Sequence, residues 1–219
     1  MSEHSVAQAS TRTALILVVF TLAFTALMAL TYLATKAPIE ASANEEKLKL
    51  ITEVLPRELY DNELLADFVE LGPTAELGLD APTRVFRARK GGQAAAIVLE
   101  AAAPDGYSGK IGLLVAVKAN GEIVGARVTR HKETPGLGDY IDIAKDKNKT
   151  HPWIRQFEDQ GFDKVARIDW KVKKDGGRFD QRAGATISAR AVTRAIGRAL
   201  EFANANRDRL FARPSASKP

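Results

Sequence analysis

The longest uninterrupted apolar run lies near the N-terminus. From Thr13 to Thr35, 23 residues pass without a charge, mostly Leu, Val, Ala, Phe and Ile, between Arg12 and Lys36. At 1.5 Å per residue such a helix is roughly 34 Å long, enough to cross the hydrocarbon of a bilayer. A signal-peptide core is shorter, and a soluble core helix rarely keeps so unbroken a run, so the pattern predicts one uncleaved anchor. Residues 1–12 are polar and read as a mobile leader. Charge does not fix the orientation. Arg12 precedes the span while Lys36, Lys47 and Lys49 follow it, and large domains cross membranes largely regardless of such counts.

Residues 36–80 read as a helical connection. Asn44 before Glu45 and Glu46 predicts a helix start, Leu48, Ile51 and Leu55 follow at helical spacing, and Pro56 stops the helix. A second short helical piece is expected around Arg57–Leu65. The period then shortens to two. Thr83–Lys90 alternates around Val85 and Phe86, Gly91-Gly92 makes a turn, and Gln93–Ala102 runs apolar. Ile111–Lys118 and Glu122–Arg130 flank Asn120-Gly121, a strong hairpin signal, with Val124, Ala126 and Val128 expected on one face. About four antiparallel strands follow from these turns. Pro152–Asp159 is expected to be helical, Val165–Lys173 a further strand, and Asp175-Gly176-Gly177 a turn.

The last periodic segment runs from about Ser188 to Arg207. Val192, Ala195, Ile196, Ala199, Leu200 and Ala203 form its apolar stripe, and Arg190, Arg194 and Arg198 an outer face. Ser188 is the expected N-cap, and residues 208–219 read as a disordered tail. The fold class expected is α+β: one transmembrane helix (13–35), then a mainly antiparallel-sheet domain (81–207) with flanking helices.

Composition narrows the chemistry. With 45% hydrophobic residues in 219, the chain can bury a core. Its 32 basic and 27 acidic residues are interleaved, without the basic stripe of a nucleic-acid binder. The absence of Cys excludes disulfides, Cys-ligated clusters and Cys-attached haem. His4, His131 and His151 are too few for a multi-histidine metal centre. There is no Gly-x-Ser-x-Gly elbow, Walker A loop or dinucleotide fingerprint, so neither a catalytic residue nor a metal ligand is assigned.

Three loops rich in small residues remain. In Ala183-Gly184-Ala185-Thr186-Ile187-Ser188, a hydroxyl arrives where a helix begins, and helix N-termini bind phosphate through unsatisfied N–H groups. The same letters also make an ordinary helix start. In His131-Lys132-Glu133-Thr134-Pro135-Gly136-Leu137-Gly138-Asp139, Pro135-Gly136 suits a type II turn, and Gly138 lets main-chain amides approach a flat ligand. The third loop, Ala103–Gly109, carries Tyr107, which could cover a ring or simply pack on the surface.

Together, the anchor, Gly-Tyr-Ser-Gly (106–109), His-x-Glu-Thr-Pro-Gly-Leu-Gly (131–138) and Asp-x-x-x-Gly-Ala-Thr (180–186) resemble the G subunit of the Rnf (Rsx) ion-translocating electron-transport complex. The resemblance covers roughly Thr13 to Arg207. It implies an FMN joined by a phosphodiester to Thr186, installed by a flavin transferase that reads the motif beginning at Asp180. With an FMN so placed, the Ile187-Ser188 helix start next to Gly184 and Ala185 supplies amides to the phosphate, Glu133, Thr134, Leu137 and Gly138 are the candidates to contact the ring, and Tyr107 is the candidate to cover it. The family usually has Ser or Thr where this chain has Ala183. Its other implications are an inner-membrane location with the soluble domain on the periplasmic side, and iron–sulfur and flavin subunits as partners. The C subunit of the sodium-pumping NADH:quinone reductase, a related flavin-domain membrane regulator, and a non-redox scaffold with an empty flavin site are the alternatives.

Overall fold

A computed structural model describes residues 3–217 of the chain. Two compact units divide it, Met1–Lys47 and Leu48–Pro219. The first is helix throughout its described part, because α1 runs without interruption over Glu3–Val54. The helix start expected at Asn44 is therefore not seen: the backbone is already helical from Glu3, within the polar leader, and stays so past Pro38, while Met1 and Ser2 lie outside the described residues. Ser10–Lys36 is long and apolar enough to cross a membrane. The hydroxyls of Thr21, Thr31 and Thr35 donate to carbonyls four residues back, at 2.8, 2.9 and 2.8 Å. Such internal partners are what a polar side chain needs in hydrocarbon.

The second unit is built on a five-stranded antiparallel meander in the order β1-β2-β3-β4-β5. Its strands are β1 (Phe68–Leu71), β2 (Thr83–Lys90), β3 (Gln93–Gly106), β4 (Gly109–Lys118) and β5 (Ile123–Arg130). Both glycine hairpins form where expected. β1 is the strand the pattern did not announce, so the 36–80 stretch is not wholly helical, and its predicted piece at 57–65 shrinks to a 3-10 turn over Arg57–Leu59.

Each face of the sheet has its own core. One, with Ile97, Leu99, Ala101, Ile111, Leu113 and Val115, is covered by α2 (Thr186–Ala212). The other, with Phe86, Ala88, Val98, Leu114 and Ala116, is covered by Ile51, Val54 and Leu55 at the end of α1 and by Tyr60 and Leu64. Burial on both faces explains why β3 and β4 read as unbroken apolar runs rather than alternating ones. Val124, Ala126 and Val128 do not share a face. Ala116 pairs with Gly125 and Val117 with Ile123, so Val124 is left as a bulge that switches the alternation. Val124 packs in the second core, while Ala126 and Val128 lie in the first.

Two further expectations are corrected and one is narrowed. Residues 165–173 are not a strand: the segment holds the 3-10 turn Arg167–Asp169 and runs into a second, Lys173–Asp175, its one β-type pairing among the described residues is the single bridge of Val172 to Phe179, and Trp170 plugs into α2. Its indole N–H donates to the Thr193 carbonyl at 3.0 Å, and a Cβ on Gly197 would sit 2.4 Å from the ring, so only glycine fits there. Pro152–Asp159 is a 3-10 helix over Trp153–Phe157. The tail expected to be disordered from 208 continues α2 to Ala212 and then returns to the sheet edge: Ala216 N–H donates to Phe68 O at 2.8 Å, and Glu70 N–H to Ser217 O at 3.0 Å. Lys218 and Pro219 lie outside the described residues.

At its far end α2 is closed by arginines from β2. Arg87, 1% exposed, donates to the carbonyls of Leu210 and Arg213 at 2.8 and 2.5 Å, and Arg89 to that of Phe211 at 3.3 Å. Asp67 accepts from both guanidinium groups, at 2.7 and 2.8 Å. Cations belong at a helix C-terminus, where carbonyls lack partners and the dipole is negative.

Candidate functional site

Antiparallel pairing brings three loops to one end of the sheet. The β3–β4 turn carries Tyr107 and Ser108, the segment leaving β5 carries Glu133 to Gly138, and the approach to α2 carries Gly184 and Ala185. Between them lies a cleft of about 290 Å³. Its walls are Tyr107 from the first loop, Glu133, Thr134, Leu137 and Gly138 from the second, and Gly184, Ala185, Ile187 and Ser188 from the third. Of the sequence-predicted positions, these nine are brought together. Thr186 lies between two wall residues as the first residue of α2, half-buried. Asp180 stands apart: it does not line the cleft, its carboxylate is exposed, and it pairs with Lys173 Nζ at 2.6 Å.

The cleft has a polar floor and an apolar rim. Tyr107, Leu137 and Ile187 are 68%, 55% and 45% exposed. Outside the N-terminal helix the only other large hydrophobic residue so exposed, among the described residues, is Ile168. Three apolar side chains held open around one depression mark a binding surface rather than scattered exposure.

The floor is Glu133, which is 4% exposed. One carboxylate oxygen accepts the Ser108 N–H at 3.0 Å, and the other accepts the Ser188 hydroxyl. One side chain thus ties all three loops. The Glu133 N–H in turn donates to His131 Nδ1 at 3.1 Å, and His131 Nε2 faces Asp142 at 3.6 Å. Gly138 packs against this knot. A Cβ there would meet Ser188 Oγ at 2.8 Å and Glu133 Oε2 at 2.9 Å, so a side chain cannot be added without moving the floor.

Ser188 does not cap α2, as the sequence suggested. The helix begins two residues earlier, and Ser188 sits in its first turn with its hydroxyl committed to Glu133. The N-cap is Ala185, which offers no side-chain acceptor. The first N–H groups of a 27-residue helix therefore open towards the loop with no capping side chain. An anion placed there would meet both those donors and the positive end of the dipole.

A second layer holds the approach loop, and sequence reasoning did not find it. Arg182 donates its N–H to Tyr140 Oη at 3.1 Å, lays its guanidinium 4.5 Å over that ring, and pairs with buried Asp146. Tyr140 Oη donates to the Ala185 carbonyl at 3.4 Å. Asp146 also accepts the N–H groups of Trp153 and Asn148 at 2.7 and 2.9 Å. Burial alone would push the Asp146 carboxyl up, but those amides and the Arg182 charge outweigh it and hold the group below the usual carboxylate range. Burial pushes the Tyr140 phenol up, against the opposing contribution of Arg182. Trp153 Nε1 fixes the Asp180 carbonyl at 2.6 Å, and Gln156 accepts the Asp180 N–H at 2.6 Å. Asp180 is thus rigid in its backbone while its carboxylate faces solvent. Pro152-Trp153 in a polar stretch was the one visible hint, since a loop tryptophan usually has something to hold.

On the outer face of α2, Arg190 grips Asp175 at 2.5 and 2.6 Å, and Arg194 pairs with Asp105 at the end of β3, just before the β3–β4 turn. The expected arginine row therefore fastens neighbouring loops to the helix that closes the cleft.

Comparison with known proteins places this site in a family. The RnfG N-terminal region matches residues 1–54, and the FMN-binding domain matches residues 106–201, which include the whole cleft. Similar proteins are the G subunits of the ion-translocating oxidoreductase complexes of Pseudomonas aeruginosa, 47% identical over 94% of both chains, and of Vibrio cholerae, 40% identical over 92% of this chain and 93% of that one. That of Shewanella loihica is 40% identical over 93% and 94%. The N-terminal apolar helix is consistent with a single-pass anchor in such a membrane complex. The chain belongs to the G-subunit family of ion-translocating oxidoreductase complexes, and it carries that family's FMN-binding domain.

Proposed function

We propose that the cleft holds FMN, that its phosphate is esterified to the Thr186 hydroxyl, and that the subunit relays electrons through it within the complex. The observation that carries this reading is the uncapped start of α2, with Thr186 as its first residue, beside a cleft rimmed by Tyr107, Leu137 and Ile187. A flavin exchanges one or two electrons, which suits a relay between other redox centres.

The division of labour follows from the geometry. The α2 amides after Ala185 face the phosphodiester, and the helix dipole stabilises its charge. Leu137, Ile187 and Tyr107 cover the ring system, while Thr134 and the backbone at Gly138 and Gly184 allow close approach. At about 290 Å³ the cleft is at the small end for ligand sites, roughly 300–1,000 Å³. A cleft of that size would hold part of a flavin nucleotide and leave the rest accessible for exchange with a neighbouring redox subunit. A covalent bond prevents loss of so loosely enclosed a cofactor. Asp180, exposed on a braced backbone, suits recognition by a transferase rather than contact with the flavin. The soluble domain is assigned to the periplasmic side, with iron–sulfur and flavin subunits as partners.

Full-length chain made with a flavin transferase is expected to fluoresce in a denaturing gel and to gain the mass of one FMN less water. Thr186→Val is expected to abolish both. Fluorescence that survives Thr186→Val would overturn the attachment site.

A further inference from the structure

We infer that Glu133, beyond tying the cleft loops together, sets the redox balance of the bound flavin by presenting an uncompensated negative charge to it; this rests on the FMN reading above. Three observations lead there. Glu133 is almost wholly buried and yet forms part of the cleft wall. Its hydrogen-bond partners are neutral, a backbone amide and a serine hydroxyl. No Lys, Arg or His side chain makes an ion pair with it among the described residues. Arg182 is paired with Asp146 and Arg194 with Asp105; His131 turns Nε2 to Asp142 and meets only the backbone N–H of Glu133, and Lys132, next in the chain, is exposed and makes no ion pair with the carboxylate.

Buried carboxylates are usually paired with a cation, because an isolated charge is costly to desolvate. Here the cost is only partly offset by two neutral donors. A charge retained in such a setting acts on whatever enters the cleft, with little water to screen it. Flavin reduction by two electrons with uptake of one proton leaves one added negative charge on the ring system. Next to Glu133 that added charge is disfavoured, whereas the oxidised ring carries none. The carboxylate therefore favours oxidised over reduced flavin and lowers the midpoint potential, so the subunit passes electrons on rather than trapping them. The same two bonds keep the three loops in place, which makes structural and electrostatic roles separable only by an isosteric change.

Glu133→Gln supplies that change. The amide oxygen still accepts the Ser108 N–H, and the Ser188 hydroxyl can rotate to accept from the new NH₂. In the full-length, flavin-loaded protein, Glu133→Gln is expected to raise the midpoint so that the oxidised-to-reduced ratio at a fixed potential falls by about tenfold, about 30 mV for a two-electron couple. Glu133→Asp, which keeps the charge, is expected to shift it less. An unchanged midpoint in Glu133→Gln at full loading overturns the inference. Loading is scored separately by in-gel fluorescence, and its absence from the unmutated chain would count against the flavin reading instead. A second measurement is independent of maturation: in a Thr186→Val background, free FMN is titrated oxidised and then dithionite-reduced. The preference for the oxidised form is expected to fall about tenfold with Glu133→Gln. An equal preference with and without Glu133→Gln overturns the inference. So does loss of both forms from Glu133→Gln, because the carboxylate is then only a clasp.

Discussion

The two ends of α2 are finished in opposite ways. At its C-terminus Arg87, Arg89 and Asp67 satisfy the last carbonyls from inside the protein. At its N-terminus Ala185 supplies no cap, and the first turn faces a cleft. One end is closed for stability, and the other is left open to an outside acceptor. A helix of this length needs only one end secured by its own chain, and a site can occupy the other.

The comparison can be broken most severely at the closed end. Arg87→Ala leaves the carbonyls of Leu210 and Arg213 without their buried donor and Asp67 with Arg89 as its remaining cation, and should cost about 3–5 kcal/mol for two unsatisfied acceptors and the lost packing, read by denaturant titration of the full chain in detergent. Arg87→Met, which refills the volume, should cost less. A loss of under about 1 kcal/mol for Arg87→Ala would mean that α2 is held by its apolar stripe alone.

Next in size is the brace behind the open end. Asp146→Asn retains one acceptor where three donors converge, and should cost about 2–3 kcal/mol. Because the folded carboxyl sits below its ordinary range, its contribution is fully present above that range. It is lost as the pH falls through the usual carboxylate pKa and then the lower folded one. The unmutated protein should therefore lose more stability than Asp146→Asn over that acid window, and parallel acid-denaturation profiles would contradict the sign.

A smaller effect is expected at the floor. Gly138→Ala pushes a methyl against Ser188 and Glu133, for about 1–3 kcal/mol together with reduced flavin loading. Stability lost without a change in loading would separate that glycine from the site.

The mildest change would make the two ends alike. Ala185→Asp adds the missing cap and should stabilise the chain by about 1 kcal/mol. It should also lower flavin attachment, since the carboxylate competes with phosphate for the same amides. Stabilisation with undiminished fluorescence would show that the phosphate does not use the end of α2.

The sequence made the local features legible and left the non-local ones hidden. Gly91-Gly92 and Asn120-Gly121 announce their hairpins because the turn conformations demand those residues. The loops around Pro135-Gly136 and Gly184 were visible for the same reason, so the cleft residues could be named before their proximity was known. β1 leaves little trace because four residues at the end of the sheet make too short a pattern, even though its partner β2 is close in the chain. Val165–Lys173 reads as a strand because Val165, Trp170 and Val172 have strand-like chemistry, but they enter the core from turns, with Trp170 against α2 and Val172 making a single bridge to Phe179. The switch at Val124 needed the register with β4, which no single strand carries. The Arg182–Tyr140–Asp146 brace spans dozens of residues and leaves no local signature.

The meander carries a consequence for when the cleft exists at all. Each strand pairs with the one just before it, so the sheet can zip up hairpin by hairpin through short loop closures. Two of the three cleft loops are in place once β5 has paired, but the third arrives only with α2, some fifty residues later in synthesis. Until that helix docks, Glu133 lacks Ser188 and Thr186 does not yet stand at a helix start. On the proposed flavin reading, cofactor acquisition is timed by topology: a chain without its last helix offers no complete cleft, and the finished fold is its own signal that it is ready.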